Sequence, residues 1–67
     1  MELIDTPNPN AKKILFNQES QHITKSLEEV EGVLSVFIGP GFITVTKKEN
    51  FDWEVITEDI VNIFDKL

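Results

Sequence analysis

A chain with one histidine and no cysteine has few routes to covalent or metal chemistry. Without a thiol there is no thiolate nucleophile, no disulfide, and no Cys-ligated zinc or iron–sulfur cluster within the chain. His22 falls in the first turn of an expected helix, and no Ser-His or Cys-His arrangement surrounds it, so it reads as a surface residue. Glu28, Glu29 and Glu31 gather near the end of the same helix, against its dipole. They read as a solvated face; a weak hard-cation or basic-partner site is the alternative, without the spacing of a calcium loop. Glu58 and Asp59 are adjacent and so leave a helix in different directions, which gives no acid–base dyad. Gly39-Pro40-Gly41 is too short to cradle a phosphate and opens no helix. These residues predict a protein that is not an enzyme, with no cofactor and no metal site.

Charge limits the partners. Twelve acidic residues against six lysines give a net charge of −6, and arginine is absent. Such a chain has no guanidinium fork for phosphates or guanine edges, so nucleic acid and anionic membranes are not expected partners. A basic protein or a cation is favoured electrostatically, although solubility alone also accounts for the charge. No apolar run approaches the ~20 residues of a membrane span, and no signal-peptide pattern opens the chain. The expected setting is cytoplasmic. Met1 is expected to be an authentic N-terminus.

The elements that must position any site follow from pattern. Sixty-seven residues, 40% of them hydrophobic, predict one domain over residues 1–67. ELID and AKKILF read as strands. Ile23, Leu27 and Val30 form one helical stripe, with Ser20 as N-cap and Gly32 as the left-handed stop. VLSVFI and FITVT flank Gly39-Pro40-Gly41 as a hairpin. Asp52 caps a last helix whose buried face carries Trp53, Ile56, Ile60, Ile63, Phe64 and Leu67, with Trp53 as a buried anchor. Thr57 is a second candidate cap, which would loosen the first turn. The order ββαββα predicts an α+β two-layer sandwich, a four-stranded antiparallel sheet with two helices on one face.

Two surfaces stand out as candidate partner sites. If Leu34, Val36, Ile38, Ile43 and Val45 face the helices, then Val33, Ser35, Phe37, Phe42, Thr44 and Thr46 face away. With Phe37 opposite Phe42, the uncovered face shows an aromatic pair beside Thr44, either a docking surface or a simple cross-strand stabiliser. The other is Thr6-Pro7-Asn8-Pro9-Asn10. Proline fixes φ and holds the preceding residue extended, and asparagine closes turns on its own backbone. A structural turn explains every residue type there, with Pro7 and Pro9 outside strand pairing. A partner-binding loop presenting Asn8 and Asn10 is the alternative.

TPNPNAKKILF, EGVLSVFIGPGFITVTK and DWE, read in order, resemble the N-terminal domain of the Nfu/NifU-like scaffold proteins of iron–sulfur cluster assembly. That pattern has TPNPN before a strand, an SVFFGPDFITVTK-like hairpin, then DW and a terminal helix. The resemblance runs from Thr6 to about Leu67 and implies the same ββαββα sandwich. It departs at Lys12, where the family usually has an apolar residue, at Gly41, where an acid is usual, and at Gln21-His22, where Ser-Pro often begins the helix. The segment before that helix is also shorter than in many members. In full-length members a separate C-terminal domain carries a Cys-x-x-Cys pair that binds the cluster. This chain has no cysteine, so the resemblance implies membership of the pathway without cluster ligation, either as a domain of a longer protein or as a short stand-alone member. Two functions follow. One is a non-catalytic accessory domain, a monomer that docks iron–sulfur assembly components. The other is a stand-alone interaction module unconnected to cluster assembly. Whether the reading frame continues into a Cys-x-x-Cys domain separates them.

Overall fold

The computed structural model describes residues 2–16 and 21–66. The element order is β1 (Leu3–Asp5), β2 (Ala11–Leu15), α1 (Gln21–Glu28), β3 (Val33–Gly39), β4 (Phe42–Lys47) and α2 (Trp53–Asp65). The strands form one antiparallel sheet in the order β1-β2-β4-β3, so two hairpins meet along β2 and β4. This is the expected α+β sandwich.

Both helices close over one face. Ile14, Ile43 and Val45 from the sheet share a single cluster with Ile23 and Leu27 of α1 and Ile56 and Ile60 of α2. Each such aliphatic side chain, taken fully out of water, contributes about 1.5–3 kcal/mol. Val30 packs against that cluster although it lies past the end of α1. Phe16 meets Phe64 edge-on at 5.3 Å, which fixes the far end of α2 beside the end of β2. The expected cap Ser20 and the last stripe residue Leu67 lie outside the described residues.

Four local expectations need correction. A register shift between Val33 and Ser35 leaves Leu34 as an extra residue, a β-bulge. The bulge inverts the alternation at the start of β3, so Val33 is buried and Leu34 is 65% exposed, the reverse of the simple pleat. Farther along, Val36 and Ile38 pair with Val45 and Ile43 on the covered face as expected, but Ile38 is exposed because it sits at the tip of an edge strand. Second, Phe37 opposes Thr44, and Phe42 opposes Gly39. Pro40 and Gly41 form a two-residue loop with Gly41 at φ +78, the pattern of a type II turn, so pairing reaches Gly39. Phe37 and Phe42 therefore share the open face diagonally.

Third, Gly32 does not stop α1 directly. The helix ends at Glu28, and Gly32 (φ +96) follows in a turn closed by the Val33 N–H donating to the Val30 carbonyl at 3.1 Å. Fourth, α2 runs unbroken from Trp53, with no loosened turn before Thr57. Asp52 holds the extended N-cap conformation but makes no capping bond through its side chain.

Candidate functional site

The face of the sheet away from the helices is built by parity. Ile4, Lys13, Thr44 and Phe37 form one row across all four strands, and Leu15, Phe42 and Gly39 form the next. Leu15 is 66% and Phe37 63% exposed. The Phe37 and Phe42 rings lie 6.3 Å apart and tilted by 41°, within the range of attractive aromatic pairs. Phe42 is half-buried because it lies over Gly39, where an added Cβ would collide with the ring. The Lys13 ammonium sits 5.4 Å from the Phe42 centroid on the same face. Lys13 is the one charged side chain that the paired strand residues place there. The pleat made Phe37, Phe42 and Thr44 legible in the sequence. Leu15, Lys13 and Ile4 join them only through the β2–β4 and β1–β2 registers, which no local pattern encodes.

Asn8 and Asn10 are elsewhere. They sit in the β1–β2 connection, beside the Lys47 end of β4, about 17 Å along that strand from Phe42. The two candidate surfaces are therefore separate.

The connection is a closed hydrogen-bonded corner. Thr6 Oγ1 accepts from the Asn8 N–H at 3.2 Å and lies 2.9 Å from the Ala11 carbonyl, to which it can donate. Asn8 Oδ1 accepts from the Asn10 N–H at 2.9 Å, the turn-closing bond expected of asparagine. Pro7 and Pro9 lie outside the strands, and neither asparagine needs a left-handed φ. Two long-range bonds then tie the corner to the fold. The Trp53 indole N–H donates to the Pro9 carbonyl at 2.9 Å, and Lys47 Nζ donates to Asn10 Oδ1 at 3.1 Å. Lys47 is only 8% exposed, and the Lys48 carbonyl at 3.3 Å is its ammonium's second acceptor. Trp53, expected as a buried anchor, is half-buried, since one edge of the indole serves the loop. Lys12 faces the helix layer and places its ammonium 5.4 Å from the Trp53 ring centroid. Its 3.3 Å ion pair with the exposed Asp5 adds little.

The corner predicts a measurable coupling. Asn10→Ala should cost about 1.5–3 kcal/mol, because a buried ammonium loses one of two acceptors. Asn10→Ala combined with Lys47→Met should cost less than Asn10→Ala alone, since no charge then remains unpaired. Urea unfolding of the three variants checks this; equal costs for the single and double variants would show that Lys47 is not held by Asn10.

The family model for the scaffold protein Nfu/NifU N terminal matches residues 17–67. The chain belongs to the Nfu/NifU N-terminal family. Its curated relatives include the human mitochondrial NFU1 iron–sulfur cluster scaffold homolog, 37% identical over 84% of this chain and 29% of that protein. The Arabidopsis thaliana mitochondrial NifU-like protein 5 is 32% identical over 90% of this chain and 20% of its own length. The chain thus spans under a third of these relatives, whose own names place them in mitochondria. The crystal structure of protein SAV1430 from Staphylococcus aureus superposes with a TM-score of 0.85 over 96% of this chain and 95% of that one, at 24% identity. That likeness concerns the fold. The three stretches that carry the family resemblance, TPNPN, the hairpin ending in Lys47, and DW, meet at the corner just described.

An iron–sulfur cluster is the group the Nfu/NifU family implies, and the residues of this chain do not fit one. Cysteine is absent, and among the described residues no three His, Asp or Glu side chains group as metal ligands. A shallow groove of about 400 Å³ between the helices is lined by His22, Ile23, Ser26, Glu29, Ile63 and Lys66. His22 and Ser26, four residues apart in α1, both line it, as that spacing on a helix requires, but the structure gives no hydrogen bond between them that would make a nucleophile and base. Glu28, Glu29 and Glu31 are exposed, as expected. Among the described residues no helix is long and apolar enough to cross a membrane.

Proposed function

We propose that this domain is a non-catalytic docking module of iron–sulfur cluster assembly, which holds a protein partner while the cluster is carried elsewhere. The open sheet face carries the reading. A small domain that leaves Leu15 and Phe37 each more than 60% exposed, beside Phe42 and away from its core, presents an apolar surface of the kind that marks contact with another protein. Membership of a family named for a scaffold supports the pathway. Residues 1–67 acting as one monomeric domain, in the cytoplasm, complete the proposal.

The test is a titration of the isotope-labelled chain with a cluster-loaded assembly scaffold from its host. Amide shifts should gather at Leu15, Phe37, Phe42 and Thr44, and Phe37→Glu should abolish them while leaving the fold intact. Shifts gathered instead on Asn8 and Asn10 would move the site to the corner, and absence of shifts would sink the reading. A companion expectation concerns the cluster. Anaerobic reconstitution of the chain alone should yield no stoichiometric iron by absorbance and iron counting; a bound cluster without added thiol would contradict the donor chemistry.

A further inference from the structure

The two edges of the sheet are protected very differently. β1 has three residues, ends in Asp5 and follows the exposed Glu2, which is a short and charged edge. β3 has seven residues, no charge and no proline, and pairs with β4 alone. Its one device is the bulge between Val33 and Ser35, which leaves Ser35–Gly39 in regular register. Along an antiparallel edge every second residue turns its N–H and C=O outward, so this stretch offers unpaired backbone groups as well as side chains. Phe37 on the open face and Ile38 on the covered face are both more than half exposed beside that edge. An apolar edge with free backbone groups is completed by one kind of occupant, an extended strand.

Charge selects between a second copy and a different protein. Two chains of −6 repel each other, whereas a basic segment is attracted. The exposed charged residues around the entry to β3 are Glu28, Glu29, Glu31 and Glu49 against Lys25 and Lys48, an acidic excess next to an uncharged strand. We infer that the β3 edge accepts an extended segment of a partner protein that pairs antiparallel with Ser35–Gly39, apolar along the pairing and basic just after it. Antiparallel pairing brings the C-terminal side of such a segment to the Glu31 end of β3. The idea rests on the reading that this domain docks a protein, and it names the form the partner takes.

The probe is acetyl-Val-Ile-Val-Thr-Lys-Lys-Lys-amide, titrated at low salt into the labelled full chain. Saturable amide shifts are expected along Ser35–Gly39. Two further peptides carry backbone N-methyl groups on alternate residues. The set whose N–H groups meet the edge should lose binding, and the other set should retain it. Equal binding by both sets would overturn strand pairing, because an apolar patch does not sense backbone N–H groups. Shifts elsewhere, or no saturable binding, would overturn it as well. The triple variant E28Q/E29Q/E31Q, which changes only exposed side chains, should bind about tenfold more weakly, because three charge pairs with the lysines are lost together. An unchanged Kd would overturn the basic partner. Sedimentation showing a dimer that the peptide does not dissolve would assign the edge to a second copy and overturn the proposal. If the peptide pairs with β3 while a cluster-loaded scaffold leaves the open face unshifted, the assembly reading fails and the edge stands.

Discussion

Trp53→Ala is expected to remove about 3–5 kcal/mol of stability, the range for truncating a packed tryptophan. A domain of this size, without disulfides or metal, rarely has more than roughly 3–5 kcal/mol in total. The variant should therefore lack a cooperative transition at ambient temperature. The magnitude comes from three losses at one position. The indole packs against the core cluster, its N–H holds the Pro9 carbonyl, and its ring faces the Lys12 ammonium. Trp53→Phe separates them: it keeps most of the packing, loses the donor, and should cost only about 1 kcal/mol. Chemical unfolding followed by circular dichroism reads both. An alanine variant that melts near the wild-type midpoint would mean that the corner is held without the indole, and that Trp53 is free to serve a binding surface.

Gly32→Ala is expected to be nearly as damaging, at about 2–5 kcal/mol, through backbone strain and overpacking together. Gly32 has φ +96, which side-chain-bearing residues rarely adopt. A Cβ there would stand 2.7 Å from the Phe51 ring and 3.1 Å from Ile56, one of the fully buried core residues. The turn that feeds β3 and the segment that leads into α2 press on each other at that point, and only glycine leaves room. Gly41→Asp is the control. It also has a positive φ, but aspartate tolerates the left-handed region, so its cost should stay near 1 kcal/mol. If the two variants melt together, the contact with Phe51 contributes nothing.

Much of the protein was determined by its sequence alone, and the reason is that the signals are local. Alternating β-branched residues, helical stripes such as Ile56 and Ile60, and turn residues at fixed offsets are read within a few positions of the chain. They suffice for six elements in the right order, for a core on one face, and for Phe37, Phe42 and Thr44 on the other. The absence of cysteine excludes thiolate ligation of a metal or cluster by this chain, whatever its fold.

What only the tertiary structure decided depends on residues far apart in sequence. A single extra residue at Leu34 inverts the facing at the start of β3, because strand alternation has a period of two and one insertion reverses it. The pairing of Phe42 with Gly39, and not with Phe37, was set by a two-residue turn whose length the Gly-Pro-Gly sequence leaves open. Leu15 reached the open face beside Phe42 through the β2–β4 register, a pairing across 27 positions with no local signature. Thr6-Pro7-Asn8-Pro9-Asn10 announced a turn by composition, but its anchors, Trp53 and Lys47, lie about forty residues away. A hydrogen bond between such distant groups exists only after the sheet has closed, so its cause is topology, and composition could name the loop without naming what holds it.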